Sequence, residues 1–197
     1  MKIGMISCGE ELLFGKTLDE NKLNLGSYLA LRSYRLKTQV TVGDSATALH
    51  RAFEFLKDMD ILCVTGGLGE THDDVTKSAT ESYFTNYEVE EIPNHNGTAS
   101  GYHYFKDHHH VILMPGPPHE NKPMFSVIGN LLPEKKFHPK RLNLTGIGEV
   151  DIEKRVKDII RDEDFATYVG ISNTALMIQD LSKVDAIKLA LKDYIYS

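Results

Sequence analysis

The sequence predicts an α/β fold, a mostly parallel sheet with helices on both faces. Two observations support this prediction. Strand and helix signals alternate through the first 84 residues, and the strand segments are short, nearly continuous apolar runs of the kind found in buried parallel strands. The chain of 197 residues is 41% apolar and 25% charged. This length and composition suit one soluble domain, alone or with a small appendage.

Six elements are predicted in order in the first half. They are a strand over 2–8, a helix over 18–36, a strand over 37–42, a helix from Ser45 to about residue 59, a strand over 60–64 and a helix over 74–84. The first helix is indicated by leucines and a tyrosine at roughly helical spacing, and the second strand by alternating polar and β-branched residues. Because strand and helix alternate, the strands are expected to run parallel.

The pattern changes after residue 86. Two apolar segments, 102–105 and 111–114, flank a polar stretch and predict a β-hairpin, with His108-His109-His110 in a solvated turn. A helix over 117–132 follows, kinked or interrupted at Pro123. The last block predicts a small β-α-β-β-α unit, with strands over 141–144, 165–169 and 175–179 and helices over 150–162 and 184–194. The predicted domains are 1–137 and 138–197.

Composition excludes several classes of function. The net charge of −6 argues against a nucleic-acid or membrane-surface binder, which needs a basic patch. No apolar run approaches the roughly 20 residues that span a bilayer. The N-terminus lacks the layout of a signal peptide. Cys8 and Cys63 lie in or beside strand-like runs and are expected to be reduced, as in a cytoplasmic protein.

Three unusual loops follow the predicted strands, where ligands of open parallel sheets bind. One contains Gly9 and Glu11, one runs from Thr65 to Asp74, and one runs from Met114 to Glu120. Glycine amides hold phosphate, whereas carboxylates repel it unless a divalent cation bridges them. A ligand-free explanation stays open for each loop. It is a capping box in the second, solvated acids in the first and a stiff turn in the third.

Four ordered motifs together resemble a known family. They are Gly9-Glu10-Glu11-Leu12-Leu13 with Gly15, Asp19 and Asn21; Thr65-Gly66-Gly67-Leu68-Gly69 with Thr71, Asp73-Asp74 and Thr76; Asn94 with Gly97-Thr98-Ala99 and Gly101; and Pro115-Gly116-Pro117-Pro118 with Glu120 and Met124-Phe125. Residues 2 to about 170 resemble the N-terminal domain of the competence/damage-inducible protein CinA, in the MoaB/Mog-like, molybdopterin-binding superfamily. The segment from about 140 is similar to that family's KH-like linking unit.

This resemblance implies a three-layer sandwich and metal-dependent hydrolysis of ADP-ribose-like dinucleotides. It also implies a nucleotide or pterin ligand and a homo-oligomer, with a dimer as first choice. The family's separate nicotinamide-mononucleotide deamidase domain has no counterpart here, so that activity is not expected. The implied catalytic residues are Glu11, Asp73 and Asp74, and the two aspartates would also hold Mg²⁺, Mn²⁺ or Co²⁺. The implied ligand-binding residues are Gly9, Asp19, Asn21, Thr65, Gly66, Gly67, Leu68, Gly69, Thr71, Thr76, Asn94, Gly97, Pro115, Gly116, Pro117 and Glu120.

The sequence also departs from the family. Glu70 replaces a usual proline and Glu10 a usual aspartate. Only 77–93 separates Thr76 from Asn94, where relatives carry a longer segment with basic and amide groups. Lys16 and Lys122 are the nearest substitutes, and each is more typical of a surface lysine.

Three functions therefore stay open. The first is the hydrolase, the second a non-catalytic pterin- or nucleotide-binding module, and the third an assembly protein that self-associates through its last block. A molybdopterin adenylyltransferase is disfavoured because Asp73 stands where that branch has an arginine. The last block lacks a Gly-x-x-Gly loop, which argues against RNA binding.

Overall fold

The protein is described by a computed structural model that covers residues 1–134, 140–161, 165–169, 174–178 and 181–196. The chain divides into two compact units. One comprises Met1–Leu29 and Tyr34–Pro133, and the other Ala30–Ser33 and Glu134–Ser197. The predicted domain boundary between 137 and 138 lies outside the described residues.

The first unit is built on a six-stranded sheet. Its elements are β1 (Ile3–Cys8), α1 (Glu10–Leu13), α2 (Glu20–Ala30), β2 (Leu36–Val42), α3 (Ala46–Phe55), β3 (Ile61–Thr65), α4 (Thr76–Tyr83), β4 (Glu88–Ile92), β5 (Gly101–Lys106), β6 (His109–Met114), α5 (Pro118–Asn121) and α6 (Phe125–Leu131). The strand order is β2-β1-β3-β6-β5-β4. β1, β2, β3 and β6 are parallel, and the last two strands join antiparallel.

Alternate side chains of each central strand enter two separate cores, which gives three layers. Ile61 and Cys63 of β3 face one core, with Leu25 of α2 and Ile128 of α6. Leu62 and Val64 face the other, with residues of α3 and α4 such as Phe53. Both faces of β1 and β3 are covered, and every residue in them is buried. This explains why their sequences are continuous apolar runs. The predicted α/β fold with a mostly parallel sheet is confirmed.

Three helices of the first unit differ in extent from the prediction. One of them is α3, which ends at Phe55, not near residue 59. α2 ends at Ala30, not near residue 36, and Ser33 then adopts a left-handed φ of 62° that no helix interior tolerates. α4 begins at Thr76, two residues after Asp74. β4 was not predicted. Four of its five residues are exposed and three are glutamates, so its sequence EVEEI does not look apolar. It lies at the edge of the sheet, where charged side chains discourage pairing with other chains.

The hairpin is confirmed, but the placement of its histidines is wrong. The turn contains Asp107, with a φ of 54°, and the exposed His108. His109 and His110 are half-buried residues of β6. His110 Nδ1 lies 3.0 Å from Nε2 of the buried His103, a hydrogen bond for which one ring must be neutral.

We predict that acid weakens this hairpin. Burial is the main cause that lowers the pKa of His103, His109 and His110, and a neighbouring histidine adds to it. Unfolded histidines, with a pKa near 6.5, bind protons first as the pH falls. The free energy of unfolding should therefore decrease from about pH 7 downwards. Urea titrations at several pH values would test this. The slope of the free energy of unfolding against pH should be smaller in His103→Gln than in the native protein. An equal slope in that variant would contradict the assignment.

A proline divides the last helix of the first unit, as predicted. α5 ends at Asn121, a 3-10 turn spans Lys122–Met124 and contains Pro123, and α6 follows directly. The missing amide of proline prevents a continuous ladder of hydrogen bonds at this point.

The second unit has an antiparallel three-stranded sheet in the order β7-β9-β8. Its elements are β7 (Lys140–Leu144), α7 (Glu149–Val156), β8 (Phe165–Val169), β9 (Thr174–Ile178) and α8 (Val184–Ala190), which follows the predicted β-α-β-β-α order. The core contains Leu144, Ile152, Leu176 and Ile187. Both helices are shorter than predicted: α7 ends at Val156, not at residue 162, and α8 ends at Ala190, not at residue 194. The predicted strand residue Gln179 lies outside the described residues.

Candidate functional site

A cavity of about 380 Å³ lies at the carboxyl ends of the parallel strands of the first unit. In open parallel sheets, ligands bind in the crevice at this end, at the point where the strand order reverses. Its lining residues come from the loops after β1, β2, β3 and β6 and from the segment before β5. They are Cys8, Gly9, Glu11, Asp44, Gly66, Gly67, Leu68, Gly69, Asp73, Asp74, Thr98, Ala99, Pro115, Gly116, Pro117 and Glu120.

The glycine-rich loop after β3 requires glycine for two physical reasons. Gly66 and Gly67 have φ values of 92° and 66°, which other residues rarely adopt. A Cβ on Gly66 would also overlap the carbonyl oxygen of Cys8, and one on Gly67 would overlap Oγ1 of Thr76. The loop therefore presses its backbone against β1 and the start of α4, so that its main chain forms one wall of the cavity.

The first loop is fixed by Asp44, which the sequence reasoning missed. The Asp44 carboxylate accepts a hydrogen bond from the amide of Glu10 at 3.0 Å and one from the Cys8 thiol at 3.4 Å. It thereby orients α1, whose Glu11 lines the cavity. Asp44 follows Val42-Gly43 at the end of β2. An acid directly after a parallel strand was the signal that could have identified it.

Two asparagines hold the loop after β6. Asn21 of α2 donates to the carbonyl of Gly116 at 2.7 Å. The buried Asn121 of α5 donates to the carbonyl of Pro115 at 3.1 Å. Both hydrogen bonds fix carbonyl groups of the loop after β6, in which two prolines have no amide hydrogen to donate. Asn21 thus stabilises the cavity wall through the backbone, and it also lines an adjoining cavity.

The segment before β5 is fixed through Glu120. Asn94 donates to the carbonyl of Ala99 at 2.8 Å and to the Glu120 carboxylate at 2.6 Å. A Cβ on Gly97 would overlap that carboxylate, so the chain at 97 passes directly over it. Ala99 and Glu120 line the cavity. Asn94 and Gly97 are not lining residues but contact these two.

Thr71 and Asp74 form a turn and do not cap α4. The amide of Thr71 donates to Asp74 Oδ2 at 2.9 Å, and its hydroxyl donates to the same oxygen. The helix starts only at Thr76, and its N-cap position is Val75, so the predicted capping box is wrong. Partial burial opposes ionisation of Asp74, but the hydrogen bonds from Thr71 outweigh it and lower the pKa. The pKa of Asp73 is also lowered, mainly by the Thr71 hydroxyl.

We predict that Thr71→Val raises the pKa of Asp74. The variant removes the hydroxyl donor that favours the carboxylate, and Thr71→Ser keeps it. Loss of one such hydrogen bond should also reduce the free energy of unfolding by about 1 kcal/mol at pH 7. Because the folded pKa is lowered in the native protein, this stabilisation is present above about pH 4 and disappears as the pH falls. NMR titration of the Asp74 carboxyl carbon measures the shift; an unchanged pKa would contradict the contact.

Several predicted residues lie beside the cavity and not in its wall. Asp19, Asn21 and Thr65 line the adjoining cavity of about 200 Å³. The Asp19 carboxylate accepts hydrogen bonds from Ser7 Oγ at 2.6 Å and from the amide of Lys22 at 2.9 Å. It therefore fixes the start of α2. Thr76 is fully buried beneath the glycine loop.

The cavity is rich in carboxylates. Five of its lining residues are acidic, and none of its lining residues within the described part of the chain is lysine or arginine. The donor set does not match a preassembled metal centre, since no three histidine, cysteine or acidic side chains converge at ligand spacing among the described residues. Burial raises the pKa of the Cys8 thiol to about 12, so this sulfur is protonated at neutral pH. The predicted metal at Asp73 and Asp74 stays a prediction.

Comparison with solved structures identifies the fold. The chain is similar to a CinA protein of Thermoplasma acidophilum, with a TM-score of 0.62 at 22% identity over 66% of this chain and 98% of that one. It is also similar to the molybdopterin biosynthesis enzyme MoaB of Thermus thermophilus, with a TM-score of 0.57 at 17% identity over 67% and 91%. These likenesses establish a MoaB/Mog-like fold.

The family itself follows from the sequence match. Residues 4–134 match the family described as "Probable molybdopterin binding domain", and the chain belongs to it. The chain is 32% identical to a "Putative competence-damage inducible protein" of Caldicellulosiruptor saccharolyticus, over 100% of this chain and 58% of that protein. The match supports the CinA resemblance.

The chain spans about half to three fifths of the length of the curated relatives it matches. Their activities as whole proteins therefore do not transfer directly. No helix within the described ranges is long and apolar enough to cross a membrane.

Proposed function

We propose that this chain binds a phosphate-bearing pterin or nucleotide in the cavity of its first unit. The observation that carries the proposal is the loop Gly66–Gly69, whose main chain forms the cavity wall at the carboxyl end of β3. Main-chain amides in such loops are suited to phosphate oxygens. The amide of Gly66 donates to the carbonyl of Met114 at 3.1 Å, and the Asp74 carboxylate lies against Gly69, so the proposal assigns the phosphate to the amides of Gly67 and Leu68. The cavity volume of about 380 Å³ suits a small molecule.

A variant that fills the cavity tests this proposal. Gly116 lies opposite the glycine loop, and a Cβ there would sit 3.6 Å from the Cα of Gly66, an ordinary contact. Gly116→Leu should fill the space and weaken binding of GMP and inorganic pyrophosphate at least tenfold by isothermal titration calorimetry. Gly116→Ala is the matched control and should bind like the native protein. If the native protein binds neither compound, with or without Mg²⁺, the proposal fails.

Hydrolysis of a nucleoside diphosphate linkage is the second candidate function. Three acids that line the cavity, Glu11, Asp73 and Asp74, favour it, because metal-dependent hydrolases use carboxylates to hold divalent cations. The acids do not form a preassembled metal centre, so we assign no catalytic step to a metal. Incubation with ADP-ribose and Mg²⁺, Mn²⁺ or Co²⁺, against a chelator control, should release AMP if this function is present. If no AMP is released with any metal by protein that binds nucleotide, hydrolysis is refuted and ligand binding remains as the proposed function.

A homodimer is the quaternary structure we propose. Four large apolar side chains on α1, on α2 and on the segment that joins them are strongly exposed: Leu13, Phe14, Leu18 and Leu23. Charges of both signs, such as Lys16 and Glu20, lie among them, so a second copy of the same surface is complementary. Sedimentation velocity should find a dimer in the native protein and a monomer in Phe14→Ser. A monomeric native protein would refute the proposal.

A further inference from the structure

Besides the cavity that Asp19, Asn21 and Thr65 line, another cavity adjoins the first one and has a different chemistry; we call it the second cavity. Its volume is about 390 Å³, and it shares Leu68, Gly69, Asp74, Thr98 and Ala99 with the phosphate-facing cavity. One ligand can therefore occupy both. The residues that belong to the second cavity alone include an aromatic ring, Tyr102, and a cation, Lys77. The first cavity is lined by neither kind of side chain in the described part of the chain.

Tyr102 is a rigid platform. It lies within β5, where it pairs with Leu113 of β6 and Glu91 of β4. Its half-buried ring packs against the core beneath α3 and α4, which leaves part of it in the cavity wall. A half-buried tyrosine on a strand presents an aromatic surface at little cost in side-chain entropy. Such surfaces stack on the flat rings of nitrogen heterocycles with little dependence on ring identity.

The Lys77 ammonium lies over this ring. Its Nζ lies 4.3 Å from the centroid of Tyr102 and 3.9 Å from Oε1 of Glu81. The lysine and glutamate side chains are both about half exposed, so this ion pair is screened by water and holds the lysine weakly. The ammonium can therefore leave the ring face for a phosphate and expose the ring at the same time.

We infer that the second cavity takes the fused heterocyclic ring of a pterin or purine phosphate, with Tyr102 as the stacking surface and Lys77 as the cation for the phosphate. The inference rests on the proposed function, which places the phosphate against Gly66–Gly69. It also supplies the positive charge that the first cavity lacks. The ring then lies in the second cavity and the phosphate in the first, and Leu68 and Gly69 line both.

Two probes that differ only in the ring test this inference. GMP carries ring, ribose and phosphate, and ribose 5-phosphate lacks the ring. Tyr102→Leu should weaken GMP binding about tenfold and leave ribose 5-phosphate binding unchanged, because stacking is lost and the phosphate contacts are kept. Tyr102→Phe retains the ring and should bind GMP within about twofold of the native protein. Lys77→Gln should weaken binding of both probes. The control is Lys57→Gln, at a lysine just after α3 that pairs with Glu54, and it should weaken binding of neither.

The outcomes separate this inference from the proposed function. If the native protein binds both probes and Tyr102→Leu binds GMP as tightly as Tyr102→Phe does, the ring site is overturned and the phosphate site stands. If Lys77→Gln binds both probes normally, the assigned cation is wrong. If the native protein binds neither probe, the proposed function fails and the ring site with it. Thermal unfolding of each variant identifies any loss of affinity caused by misfolding.

Discussion

Gly66→Ala should destabilise the protein by roughly 3 kcal/mol and abolish ligand binding. Two costs add. A φ of 92° is strained for alanine, which costs on the order of 1–3 kcal/mol. The new methyl group would also overlap the carbonyl oxygen of Cys8, which belongs to the buried strand β1 and cannot move aside. The loop must therefore shift away from β1, and the cavity wall shifts with it.

Gly15→Ala is the matched control for this experiment. Gly15 also has a positive φ, 67°, but a Cβ there would meet no atom within 4 Å. Only the backbone strain is added, and we expect a loss of about 1 kcal/mol. Urea unfolding followed by circular dichroism measures both variants, and calorimetric titration with GMP measures binding. If the two alanine variants lose equal stability, the close approach of the glycine loop to β1 is refuted.

Phe53→Ala should reduce the free energy of unfolding by about 3–5 kcal/mol. Phe53 is fully buried on α3, and its ring lies 5.3 Å from that of Tyr83 and 5.1 Å from that of Phe84, at the end of α4. Alanine would leave a large cavity and remove two aromatic contacts between the helices. Thr76, the first residue of α4, packs against Gly67 of the glycine loop, so looser packing here should also weaken binding to the cavity.

A phenylalanine two residues away on the same helix is the control. Phe55 is 66% exposed, so Phe55→Ala removes similar atoms with the same change in helix propensity but little burial. Its effect should lie within about 0.5 kcal/mol. Urea titrations measure the free energy of unfolding of both variants. A Phe53→Ala variant as stable as Phe55→Ala would mean that α3 and α4 do not pack through this ring.

Much of the first unit could be predicted because the relevant signals are local. β1 and β3 are buried on both faces, so their sequences must be apolar along their whole length. The hairpin and the interrupted helix at Pro123 likewise depend on short-range chemistry. β4 carries no such signal, since an exposed edge strand needs few apolar residues. His109 and His110 were misplaced because a strand can hold half-buried polar rings that have hydrogen-bond partners, Tyr87 for His109 and His103 for His110.

The candidate site was predicted in part. The glycine loop, Glu11, Asp73, Asp74 and the proline-rich loop were identified from their motifs, and the structure places all of them at one cavity. Asp44 was missed because its role, holding the amide of Glu10, depends on the pairing of β1 with β2.

The sequence by itself determined the order of strands and helices, apart from α1 and β4, and the loops that carry glycine and carboxylates, because backbone preference and burial periodicity are encoded within a few residues. Only the tertiary structure decided which of these loops meet, and that Lys77 and Tyr102, 25 positions apart, face each other beside the glycine loop. Such contacts depend on strand order and register, which bring together residues that have no relation along the chain.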